Sequence, residues 1–167
     1  MLEDLFSKRV HKNKHFFGSC IYLNINQEEM WDFMSNEKNL EEITPPWLNF
    51  KVLHKTHEHL QKGSIITYKL YLKGIPISWQ SLISDWQENK FFADTQIKGP
   101  YGLWHHQHLF VPLQNGMLMY DYIDYDVPLW PFGEIGLWMI KKDLKKIFNF
   151  RSKILTQKFN QKLLSHV

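Results

Sequence analysis

The densest chemistry in the sequence lies in the run Trp104-His105-His106-Gln107-His108-Leu109-Phe110. Histidine titrates near neutral pH, so it can move a proton, hydrogen-bond in either sense, or ligate a metal. His106 and His108 are two positions apart, which on a strand puts both imidazoles on one face. A carboxylate, Asp121, follows beyond Asn115-Gly116, a dipeptide that signals a tight hairpin. Closing that hairpin lets a histidine reach Asp121, with Tyr125 further along the same face. His106, His108, Asp121 and Tyr125 are therefore the candidate acid–base residues. Three readings stand beside one another: polar groups satisfying each other in a core, an anchor for the polar end of a ligand, or a general acid–base pair. The same-face histidines with Asp121 as a third donor also have the spacing that metal sites use. His54, His57 and His59 form a separate group near a turn and read as a solvated loop able to hold stray ions.

Other chemistries lack their signatures. There is no glycine-rich phosphate loop ending in Lys-Ser/Thr and no G-x-S-x-G nucleophile elbow. The one cysteine, Cys20, lies in an apolar strand-like run and reads as a small buried core residue. It can form no internal disulfide, which points to a reducing compartment, the cytoplasm. Residues 1–15 are basic but lack the apolar stretch of a secretory signal. No window is long and apolar enough to span a bilayer. The net charge of +3 is too small a bias to imply nucleic acid, and no recognition motif accompanies it.

The elements that must position these residues follow from periodicity. The 167 residues, 44% hydrophobic and 16% aromatic, suit one domain with a large core. A polar tail over 1–15 precedes a domain over 16–164. The pattern predicts a strand over Phe16–Asn24, then a short helix capped by Asn26 with Glu28 and Glu29 in its first turn. A second helical stretch over Glu37–Ile43 ends at Pro45-Pro46. Strands follow over Phe50–Lys55, Ser64–Leu72, Ile77–Trp86, Phe91–Ile97, Trp104–Pro112 and Met117–Val127, with short turns that imply an antiparallel sheet. From Glu134 to Leu164, apolar residues recur at helical spacing without proline. A helix of that length must lay its apolar stripe across the sheet.

Alternation along each strand then assigns a concave face. It carries Tyr68 and Leu70, Trp79 and Ile83, Phe92 and Asp94, Trp104, His106, His108 and Phe110, and Asp121, Ile123 and Tyr125. The helix adds Trp138, Leu144 and Phe148. Together these form a mostly apolar wall with sparse polar groups, the character of a small-molecule site. Trp47 and Leu48, after the proline pair, and Trp130 and Phe132, before the helix, read as a portal or as plain packing. The helix segment holds eight Lys/Arg and two acids, so a transient contact with an anionic membrane is one reading and a solvated face the other.

The order of elements, with Ile43-Thr44-Pro45-Pro46-Trp47-Leu48, Gly74-Ile75-Pro76 and Trp79, Gly99-Pro100-Tyr101, the Trp104–Phe110 run and Tyr125-Asp126-Val127-Pro128, resembles the START-like SRPBCC superfamily. The likeness is to its polyketide cyclase/dehydrase and lipid-transport branch, and among those to poorly characterised bacterial proteins. It spans roughly 16–159. The resemblance implies an α+β helix-grip fold: a curved antiparallel sheet of six to seven strands around a long C-terminal helix, with a cavity between them. It also implies binding or transport of a small hydrophobic molecule, such as a lipid, an isoprenoid quinone or an aromatic polyketide. A cyclase, dehydratase or aromatase using the cavity His, Asp and Tyr is the alternative; a regulatory module with a vestigial cavity is a second. The resemblance implies no metal or other cofactor.

Overall fold

Alternating β-branched and aromatic residues form a single sheet in the computed structural model, which describes residues 15–127 and 136–160. Its strands are β1 (His15–Leu23), β2 (Lys51–Lys55), β3 (Ile65–Leu72), β4 (Ile75–Gln87), β5 (Phe91–Lys98), β6 (Leu103–Leu113) and β7 (Gly116–Asp126). They lie in the order β1-β7-β6-β5-β4-β3-β2, and every neighbouring pair is antiparallel. The hairpin from β2 to β7 is thus a continuous meander, and β1 closes onto β7. The β3–β4 turn places Lys73 at φ 53° and Gly74 at φ 83°, the paired left-handed conformation that matches strand twist in a tight hairpin.

Helix α1 (Gln27–Met34) begins where expected, with Asn26 Oδ1 accepting from Glu29 N at 2.8 Å. The second helical stretch is shorter than the sequence predicts: a 3₁₀ turn over Glu37–Leu40, capped by Asn36, followed by turns and a second 3₁₀ turn at Pro46–Leu48. Proline at the start of that turn costs no hydrogen bond, so Pro46 begins a helical turn as well as ending the previous segment. Helix α2 (Leu137–Asn160) carries Leu144, Phe148, Leu155 and Phe159 as its buried stripe. No helix among the described residues is long and apolar enough to cross a membrane.

Three core regions hold the layers together, the smallest gathering Leu60, Ile66 and Ile83. Under α1, Met30, Trp31 and Met34 pack with Phe92, Phe110, Met117, Met119, Leu155 and Phe159. Under the middle of α2, Ile123 and Tyr125 pack with Leu144 and Phe148, and Phe17 of β1 sits 4.9 Å from the Phe148 ring. One expectation is reversed. Cys20 is exposed, not core, because β1 is an edge strand whose outer face carries Phe16, Gly18, Cys20 and Tyr22. The tail expected over 1–15, apart from His15, the ends of the long helix beyond Leu137–Asn160, and Trp130 and Phe132 lie outside the described residues.

Candidate functional site

The register of the sheet builds a polar row across three strands. Asp94 of β5 lies directly opposite His106 of β6, and Asp121 of β7 lies directly opposite His108. All four side chains point to the concave face, so the two imidazoles are bracketed by carboxylates. The rings sit 3.9 Å apart, centroid to centroid. His106 Nε2 is 3.0 Å from Asp121 Oδ1, and His106 Nδ1 is 3.6 Å from Asp94 Oδ2. His108 Nδ1 is 2.8 Å from Asp121 Oδ1, and its Nε2 is 3.7 Å from Asp94 Oδ2. The His108 contact to Asp121 is close, though its Nδ1–H lies off the ideal line to the oxygen.

The row continues at both ends. Ser81 Oγ donates to Asp94 Oδ1 at 3.0 Å, and it also meets Tyr68 Oη at 2.8 Å and the Trp79 indole N–H at 3.2 Å. At the other end, Arg151 of α2 reaches Asp121 Oδ1 at 3.4 Å, with its guanidinium 4.8 Å from the centre of the Phe148 ring. A chain of polar contacts thus runs from Tyr68 to Arg151 beneath an otherwise apolar surface.

Burial decides the charge states. A cation at His106 is disfavoured first by burial and then by His108, and its pKa falls to about 4 despite the two carboxylates. At His108 burial also opposes the cation, but Asp121 and Asp94 outweigh it and the pKa rises. Two imidazolium ions in contact would repel, so the pair takes up at most one proton beyond those of the neutral rings, and His108 is the favoured site for it. Burial opposes ionisation of Asp121, yet His106, His108 and Arg151 hold its carboxyl far below the usual range. Asp94 is also lowered, with the histidines and Ser81 overcoming burial. Two carboxylates then face Arg151 and the imidazole that more readily takes a proton, so opposite charges meet in this low-dielectric site. The Tyr68 phenol, buried and near Asp94, is pushed well above its ordinary value. Tyr101 is pushed up to about 12 by burial and then by Tyr125 and Asp143.

Apart from Asp121, this row lines a cavity of about 170 Å³ between the sheet and α2. Of the residues the sequence assigns to the wall, Tyr68, Leu70, Trp79, Ile83, Phe92, Asp94, Trp104, His106, His108, Leu144 and Phe148 line it. Trp79, Tyr101 and Trp104 form an aromatic cluster on it, with the Trp79 and Trp104 ring centres 5.3 Å apart. Leu48 lines it too, whereas its neighbour Trp47 is 57% exposed and stands edge-on to Phe150.

Five of the assigned wall residues do not reach the cavity. Asp121, Ile123 and Tyr125 face inward and are buried, but α2 and Phe17 lie over them. Phe110 is covered by Trp31 of α1, at 5.7 Å between ring centres. Trp138 is 64% exposed: Leu137 takes the inward position, and one residue further around the helix points to solvent. Tyr101, Glu37 and Arg151 belong to the site without having been assigned to its wall, and Ser81 belongs to it from the inward face that it shares with Trp79 and Ile83. Glu37 is buried at the wall and paired with Lys55 at 2.7 Å. Arg151 had a legible signal, since it lies three positions after Phe148 and seven after Leu144, on the buried stripe.

The arrangement of seven antiparallel strands, two short helical segments after the first strand and a long final helix over a cavity is decisive. The fold is the helix-grip fold of START-like proteins. A START superfamily protein from Mycobacterium smegmatis superposes with a TM-score of 0.68 at 15% identity, over 88% of this chain and 98% of that one. The Zhui aromatase/cyclase of a Streptomyces species superposes with a TM-score of 0.73 at 11% identity, over 90% of this chain and 96% of its own. A major latex-like protein from Panax ginseng does so with a TM-score of 0.62 at 10% identity, over 87% and 97%. No protein-family model matches the sequence, and no curated protein does. Identities this low establish the helix-grip architecture alone.

Proposed function

We propose that this helix-grip domain, taken as residues 16–164, binds or carries a compact, mostly apolar molecule with one polar end. The observation that carries this reading is the wall itself. Aliphatic and aromatic side chains surround a polar row on the sheet, the design of a site that buries a ring and fixes its orientation. The size sets the scale. A cavity near 150 Å³ holds a benzene-sized guest, so about 170 Å³ fits a single substituted ring. An isoprenoid quinone, a lipid or a multi-ring polyketide requires the wall to open. Leu48 and the exposed Trp47 are our candidate portal for that movement.

Native mass spectrometry of gently purified protein, followed by organic extraction, tests the reading. A stoichiometric small molecule is expected. A protein that carries none, and that takes up no ring-sized apolar probe, defeats it.

A second reading is favoured by one observation, the charge division between the histidines. His106, whose cation is disfavoured, beside His108, whose cation is favoured, offers the better base and the better acid in one wall. Acid–base chemistry of the cyclase, dehydratase or aromatase kind then uses this row, as the aromatase/cyclase of the same fold invites. In that case His106→Ala abolishes turnover while guest still binds; full activity in that variant removes the reading. A further proposal concerns location. Trp138 and Met139 are exposed beside Lys141, Lys142, Lys145 and Lys146, so we assign transient contact with anionic membranes to this end of α2, from a cytoplasmic protein.

A further inference from the structure

The polar row that orients a guest holds its donors in a pattern that orientation alone does not require. Asp94, His106 and His108 each offer a ligand atom within 4.8 Å of the other two. Asp94 Oδ2 stands 3.6 Å from His106 Nδ1 and 3.7 Å from His108 Nε2. Nitrogen and oxygen donors about 2.0–2.2 Å from an ion stand about 3–3.6 Å from one another around it. Small side-chain shifts therefore bring all three donors onto a common centre. The register supplies this without a loop, since the donors come from β5 and β6 at directly facing and alternate positions.

The surroundings of these donors are those a metal centre requires. The second nitrogen of each ring is turned to Asp121 Oδ1, at 3.0 Å for His106 and 2.8 Å for His108. A carboxylate behind a ligating imidazole fixes the ring and its tautomer, leaving the lone pair of the forward nitrogen for the ion. Here one carboxylate serves both rings, and Arg151 holds it from the helix side. Ser81 donates to Asp94 Oδ1, which leaves Oδ2 to face the imidazoles. Asp94, His106 and His108 line the cavity whereas Asp121 does not, so an ion there keeps open positions toward a guest.

We propose that Asp94, His106 and His108 bind a divalent first-row transition ion of the zinc or iron(II) type, with Asp121 orienting both imidazoles from behind. Two imidazoles and one carboxylate suit such ions better than calcium or magnesium, which prefer all-oxygen shells. The set differs from the one sequence spacing suggests: Asp94 takes the ligand position and Asp121 the supporting one. The proposal is independent of which guest the cavity holds.

Chelator-treated protein titrated with Zn²⁺ by calorimetry, and with Co²⁺ by visible absorption, tests it. One equivalent of each ion is expected, with Co²⁺ showing the intense bands of a low-coordinate site. Asp94→Asn and His108→Gln are expected to weaken binding at least tenfold, and Asp121→Asn by about 10–100-fold. The combined His54→Ala, His57→Ala, His59→Ala variant is expected to bind as the parent does. Circular dichroism checks that each variant folds. The parent's Co²⁺ spectrum needs no variant, and an aquo-ion spectrum overturns the proposal. So does Zn²⁺ binding that survives Asp94→Asn and disappears with the turn histidines.

Discussion

At Asp121, one carboxylate oxygen serves His106, His108 and Arg151 together. Its side chain is only 4% exposed, so nothing but these partners offsets its desolvation. Removing its charge leaves the Arg151 guanidinium and the His108 proton without their shared anion. Asp121→Asn is expected to cost on the order of 3–5 kcal/mol, read from the midpoint of urea unfolding. Arg151→Met keeps the packing stem and removes the opposing charge. The double variant is expected to lose less than the sum of the two single losses, because each group's penalty comes from the other's absence. Strict additivity would show that the two do not interact. That His106 and His108 share a face with a nearby carboxylate was legible from their spacing and the Asn115-Gly116 hairpin. The part of Asp94 was less so, because it depends on the β5–β6 register, and a slip of one residue would have turned it outward.

At the scale of elements, α2 carries opposite behaviour on its two sides. Phe148 packs on Phe17, stands edge-on to His106 at 5.7 Å and supports Arg151. Phe148→Ala is expected to destabilise by about 3–5 kcal/mol, with a larger cavity that accepts bulkier probes in the native mass spectrum. Trp138, on the outer side, is expected to behave differently. Trp138→Ala should change stability by no more than about 0.5 kcal/mol, while lowering binding to vesicles containing phosphatidylserine. Unchanged vesicle binding would remove the membrane contact. At the start of α1, Asn26→Ala is expected to cost about 1 kcal/mol, because the Glu29 amide loses its cap. The seven strands were readable from their β-prone runs and turns, α2 from its helical spacing, and α1 from its Asn26 cap and first-turn acids. The helical stretch from Glu37 was readable too, though it is shorter than predicted, a 3₁₀ turn over Glu37–Leu40; the turn at Pro46–Leu48 was not, since so short a segment has no period to detect.

For the molecule as a whole, the question is what keeps a cavity open in a domain with so many large side chains. The two short helical segments and α2 cover the sheet at different places: α1 over Phe92 and Phe110, α2 over Ile123 and Tyr125. The sheet's curvature leaves the surface between them uncovered, and that is where Trp79, Trp104 and the polar row sit. A ring placed there should compete with the guest. Leu70→Phe is expected to abolish recovery of the extracted molecule while changing stability by no more than about 1–3 kcal/mol, the usual cost of overpacking. Retention of the full guest complement in that variant would show that the guest binds elsewhere.

By itself, the sequence determined which residues share a face, because strand and helix periods are local geometry. It thereby set the seven-strand, long-helix order and collected Tyr68, Trp79, Trp104, His106, His108 and Asp121 on one concave surface. Only the tertiary structure decided which of them touch the cavity. Leu144 and Phe148 of α2 pack over Ile123 and Tyr125, and Arg151 reaches Asp121, whereas Asp94 and Ser81 remain at the wall. The angle at which a helix crosses a sheet is set by packing among residues far apart in the chain, and no local pattern encodes it. The same packing turned Arg151, a cation on an apolar stripe, into the partner of Asp121. It thereby turned a pair of same-face histidines into a bracketed row with a second carboxylate behind it.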